Sequence, residues 1–212
     1  MGPEDIIITG SASFKQQAFN DLQKLTTTPL VMLDNGKVVQ ANSVTPYETK
    51  ATFIPQTSEA SQGNAENIPG TNLPVNKPKG TDVVNDAINS SKTVTLKETT
   101  GGNQTTTTND ALVKSDGSAG KGANATIEFN PNKTTGGVNV NGNSNRPAQV
   151  GLGHELIHAD HDVNGKNTSA TSSGKLDPDG RGQTLSKEEL NTRKEENQIR
   201  QEQQTPERKL PQ

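Results

Sequence analysis

The stretch His154-Glu155-Leu156-Ile157-His158 constrains this chain more than any other. On a helix, positions i and i+4 stack on one face a single turn apart, so the two imidazoles can converge. A strand would hold them about 13 Å apart. Leu156 and Ile157 make the opposite face apolar, so the helix is packed rather than merely solvated. Pro147 suits a first helical turn and Gly165 a stop, which sets the helix at about 147–162. Gly151 and Gly153 are poor helix formers and imply close packing around that segment.

Spacing and residue type point to a metal. All three histidines of the chain, His154, His158 and His161, lie in this one segment. Neutral imidazole suits Zn2+, and Glu155, next to the first candidate ligand, is placed to act as general base on a water. A catalytic zinc usually takes three protein ligands. His161 lies a further turn along the same helix, so it reads as a supporting, substrate-facing or surface residue. Asp160 and Asp162 are too close in sequence to serve comfortably. The long metzincin pattern needs Gly at 161 and His at 164, where this chain has His161 and Asn164. That class is excluded.

A third ligand is better sought in the helical segment 185–204, which offers Glu188, Glu189, Glu195 and Glu196. Ser186 and Glu189 also fit a capping box, a role that competes with ligation. Arg200 pairs with Glu196 at i, i+4 and, if its helix lines the cleft, would steady a developing oxyanion. Arg193 competes for that role, and Tyr47 is a weaker candidate.

Elsewhere, "EDIIITG" reads as a strand, and "SFKQQAFNDLQKL" as a helix with a capping box of Ser13 and Gln16. "PLVMLDNGKVVQA" reads as a hairpin turning at Asn35-Gly36. "KATFIP", "KTVTLKETT", "ATIEFNP" and "GVNVNG" are further strand candidates, and "DVVNDAI" a short helix. "ATIEFN" is the expected edge strand, able to hold an extended substrate by strand addition. Only 26% of residues are hydrophobic, against roughly 45–50% apolar in ordinary domains, glycine included. The core must be small. The reading is one α+β domain over 1–205, with long polar loops at about 56–80 and 99–123 and a disordered tail at 206–212. The net charge of −3 comes with no basic block and no membrane-spanning run, so neither nucleic acid nor membrane is an expected partner. No signal-peptide pattern opens the chain, and the absence of cysteine would suit a reducing compartment.

"HELIHADH" followed downstream by "EELNT" resembles the zinc site of clostridial neurotoxin light chains, which pair HELIH with EELRT. The resemblance is closer to bacterial effector metallopeptidases of the type that cleaves host MAP kinases, and to toxin domains at the ends of Rhs-type proteins. It rests on "GPEDIIITG", "LQKL", "RPAQVGLGHELIHA", "EELNT" and Glu196-Asn197 with Ile199-Arg200. The segment of about 56–120 has no counterpart. The resemblance implies a zincin-like fold with a small, mostly antiparallel sheet. It implies Glu189 as third ligand beside His154 and His158, with Glu188 and Glu196 as rivals. It also implies a secreted zinc endopeptidase acting on a protein in the cytoplasm of a target cell, with a delivery polypeptide or an immunity protein as further partners. A zinc hydrolase that cuts its own parent polypeptide or cell-wall peptides, and a non-catalytic module with structural zinc, are the alternative expectations.

Overall fold

The structure is a computed structural model that describes residues 5–43, 76–180 and 182–212. In chain order it runs β1 (Ile6–Thr9), α1 (Ala12–Leu25), β2 (Leu30–Met32), β3 (Lys37–Gln40) and α2 (Pro78–Asn89). Then come β4 (Val94–Glu98), β5 (Gln104–Thr106), β6 (Ala125–Phe129) and α3 (Ala148–Val163). The last elements are β7 (Ser172–Leu176), β8 (Thr184–Ser186) and α4 (Lys187–Glu202). Among the described residues no helix is long and apolar enough to cross a membrane.

The expected α+β class holds, with a sheet that is mixed rather than simply antiparallel. Its order is β2-β3-β1-β4-β6-β5. The central strands β1, β4 and β6 are parallel, while β2, β3 and β5 join antiparallel to their neighbours. The parallel pairs arise because the chain returns to its starting end before each new central strand, through α2 in one case and β5 in the other. Register then aligns the apolar positions. Ile6, Val94 and Ala125 form one row across the centre, and Ile8, Leu96 and Ile127 the next. All six are buried, as a period of two requires of one covered face. Helix α3 is the hub, packing against α1, α2, α4, β5 and β6. A Cβ on Gly153 would lie 2.9 Å from Ile199 Cδ1, so the missing side chain is what admits α4. The close packing expected at these glycines is present.

Several expectations change. "ATIEFN" is β6, an interior strand between β4 and β5. The edge on that side is β5, which lies inside the supposed loop of 99–123 together with a 3-10 turn at Asn109–Ala111. Threonines favour a pleated surface, and an edge strand with one side chain turned inward needs no apolar run to mark it. At the other supposed loop, residues 78–80 already open α2, and the rest up to residue 75 lies outside the described residues, as do "KATFIP" and Tyr47. "GVNVNG" is not a strand: it takes part in one isolated bridge, Asn139 with Arg208, and the residues flanking it in another, Thr135 with Asn145. A hairpin, β7–β8, lies between α3 and α4. The cap of α1 is Ser11, whose hydroxyl accepts from Phe14 N, and not Ser13.

The tail is docked rather than disordered. Lys209 N donates to Val138 O, and Asn197 exchanges two hydrogen bonds with the Arg208 backbone. The Arg208 side chain is drawn into an acidic surround that no apolar pattern announces.

Candidate metal centre

α3 and α4 cross so that one acidic face of α4 meets the histidine face of α3. The His154 and His158 rings stand edge to face, centroids 4.9 Å apart and planes at 81°. Glu189 Oε2 lies 3.5 Å from His154 Nε2 and 3.3 Å from His158 Nε2. One donor atom from each of the three falls within 4.8 Å of the others. Two bonds of about 2.0–2.1 Å at a tetrahedral angle hold their ligand atoms about 3.3 Å apart. The donor set and its spacing therefore fit a zinc ion. The rim is partly open, since the Glu189 side chain is 24% exposed.

The far side of each ring is also held. His154 Nδ1 donates to Glu196 Oε2 at 2.9 Å, and His158 Nδ1 to Glu188 Oε1 at 3.1 Å. A carboxylate only accepts, so both Nδ1 atoms carry hydrogen and both Nε2 atoms face Glu189. Glu188 is itself fixed by Thr168 N at 2.9 Å and Thr192 Oγ1 at 3.3 Å. His161 stands outside the trio. Its Nδ1 donates to Glu188 at 2.6 Å and its Nε2 to Glu195 at 3.1 Å, with Lys79 paired to the same glutamate.

Ser186 caps α4 by accepting from Glu189 N at 3.1 Å. Capping by the backbone of this residue is compatible with ligation by its carboxylate, so the two roles do not compete. Arg193 Nε binds Glu189 Oε1 at 2.6 Å and its Nη1 binds Asp177 at 2.7 Å. Arg208 reaches Glu196 at 3.2 Å, Glu189 at 3.6 Å and Asp179 at 3.0 Å.

Arg200 does not line a cleft. It is fully buried, with Nε 2.7 Å from Glu196 Oε1 and Nη1 donating to Pro206 O. The oxyanion role read for it is corrected: α4 turns this face inward, and Arg200 neutralises the carboxylate that holds His154. Glu155 is 6% exposed, and Thr105 Oγ1 donates to its Oε2 at 2.9 Å. Sequence reasoning missed Arg208, Thr105 and the ring-holding use of Glu188 and Glu196. Only the repeated acidic pairs of α4 hinted at the last.

These contacts set the charges. Burial pushes the His158 imidazole down, but Glu188 and Glu189, helped by the charge on Glu155, carry it up to about 10. His161 follows the same balance, ending at about 9 through Glu188 and Glu195. His154 is raised by Glu189 and Glu196 against its burial. Burial pushes Glu189 up, yet the two imidazoles bring it well below the usual carboxylate range. The cluster demands positive charge at its centre, and protons meet that demand where no metal does. Metal binding here would release protons.

The family model Peptidase M91, described as an effector protein, matches residues 3–210 of this chain. No curated protein and no solved structure matches it.

Proposed function

The chain belongs to the peptidase M91 family of effector proteins, and from that membership and the site geometry we propose a zincin-like, zinc-dependent endopeptidase that cuts a protein of a target cell. The observation that carries this reading is the convergence of His154 Nε2, His158 Nε2 and Glu189 Oε2, with Glu155 next in sequence to the first ligand. Three protein ligands leave a position free, which an enzyme needs and a closed structural site does not. A secreted protein working in the cytoplasm of the target cell agrees with the effector family, and the chain's lack of cysteine suits that compartment.

His154, His158 and Glu189 would hold the zinc. When bound, zinc supplies a Lewis acid that polarises the scissile carbonyl and eases deprotonation of the attacking water. Glu155 accepts that water's proton and passes it to the leaving amine. Glu188 and Glu196 keep both imidazoles in the tautomer that presents Nε2. Strand β5 pairs with β6 on one side, and its other edge is suited to an extended substrate segment by strand addition.

The test joins metal analysis to turnover. Zinc-loaded protein is incubated with target-cell lysate, and new protein termini are sought by mass spectrometry. New termini are expected from the wild-type protein and none from Glu155→Gln, which keeps its zinc but has no base. Wild-type protein that takes up no transition metal, or a Glu155→Gln variant that cuts at the wild-type rate, overturns the proposal.

A further inference from the structure

Strand β5 is polar throughout, and its three side chains divide cleanly. Gln104 and Thr106 are exposed and bond within the sheet, to Glu128 Oε2 at 2.6 Å and to Thr126 O at 3.4 Å. Thr105, between them, turns toward α3. Its Oγ1 lies 2.9 Å from Glu155 Oε2 and 3.0 Å from the main-chain oxygen of the same residue. A hydroxyl has one proton to donate, and here two acceptors of one residue compete for it.

We propose that Thr105 is the positioning residue for Glu155, tying the base of α3 to the edge strand. This rests on the function proposed above. A glutamate side chain has three rotatable bonds, and one left unheld loses orientation to rotamer entropy. Donation from Thr105 to Oε2 fixes the carboxylate and leaves Oε1 for the attacking water. Once Glu155 holds the proton, the hydroxyl rotates to the main-chain oxygen, so its donor is not stranded while the proton travels to the leaving amine. Since a substrate segment adding to β5 would lie along this strand, one side chain sets the spacing between substrate backbone and base. A misplacement of about 1 Å in such an arrangement can cost about a hundredfold in rate.

Thr105→Val removes the hydroxyl and keeps the β-branched shape that a strand favours. Thr105→Ser keeps the hydroxyl. The two are compared with wild type in zinc content, thermal stability, crystal structure of the zinc-loaded protein, and turnover of a degenerate library of quenched fluorescent peptides. Thr105→Val is expected to keep its zinc and its melting temperature, to lose roughly tenfold in kcat with KM unchanged, and to show the Glu155 carboxylate displaced. Thr105→Ser should restore both rate and carboxylate position. A Glu155 carboxylate that stays in its wild-type place in Thr105→Val overturns the proposal. So does a loss confined to stability or zinc content, which would make Thr105 only a fastener between strand and helix. If wild type cuts nothing while the carboxylate still shifts in Thr105→Val, the peptidase reading fails and the positioning of Glu155 by Thr105 stands.

Discussion

Glu188 and Glu189 meet opposite nitrogens of one ring, because neighbouring helical residues point about 100° apart. Glu188 takes His158 Nδ1 and Glu189 takes Nε2. The first contact orients the ring, and the second faces the proposed ion. Substitution by glutamine keeps the size of each side chain while removing its charge, so it separates these roles with little cost to packing. Glu189→Gln should weaken zinc binding more than a hundredfold, whereas Glu188→Gln and Glu196→Gln should weaken it about tenfold. Competition against a chelating dye reads all three. A larger loss at Glu188 or Glu196 than at Glu189 would reassign the ligand. The meeting of His154 and His158 was legible in the sequence because their spacing alone puts them on neighbouring turns of one face. The choice among the glutamates was not, because it depends on where α4 crosses α3, and that crossing is fixed by Ile199 against Gly153.

The same dependence on distant partners governs whole elements. Helix α2 has no side-chain cap of its own at Lys77. Its first free amides, on Lys79 and Gly80, donate instead to the Glu202 carboxylate at the end of α4, at 2.5 Å and 2.9 Å. That explains why only the apolar part of α2 could be read from its period. The signal that starts the helix lies more than a hundred positions further along the chain. Strand β5 escaped notice for a related reason: its inward threonine is specified by Glu155 and not by any neighbour in sequence. By contrast, β1, β4, β6 and the β2–β3 hairpin carry their own period or turn, and these stood out. Glu202→Ala should lower stability by about 1 kcal/mol, the usual worth of a lost cap, as read by thermal or urea unfolding. Zinc affinity should not change, because thirteen residues of helix put Glu202 about 20 Å from Glu189. A matching loss of zinc would mean that α4 moves as a rigid lever.

At the scale of the molecule, two kinds of adhesion share the work. An apolar cluster joins the sheet to α1, α2 and α3, and Ile199 extends it into α4. Beyond it the chain is too poor in apolar residues to continue, and charge takes over. Asp177 and Asp179, just past β7, hold Arg193 and Arg208, and those arginines hold Glu189 and Glu196. The tail is the last member of this network, since Arg208 is 7% exposed while Glu196 is fully buried. Deleting residues 206–212 would strip Glu196 of one of its cations. Breaking a buried pair costs about 3–5 kcal/mol, but Arg200 remains on Glu196, so the expected loss is nearer 2–3 kcal/mol. For a chain of this size that is roughly 5–10 °C in melting temperature. The loss should be smaller in saturating zinc, because an ion at Glu189 restores positive charge where Arg208 supplied it, and binding to the folded state adds stability of its own. Arg208→Ala alone should reproduce most of the effect, which separates the charge from the backbone bonds of the tail. Paired thermal scans of the truncated and full chains, with chelator and with zinc, measure both quantities. Equal melting temperatures in chelator would show that the tail contributes nothing to the fold. An equal drop in both conditions would show that Arg208 and the ion do not share Glu189.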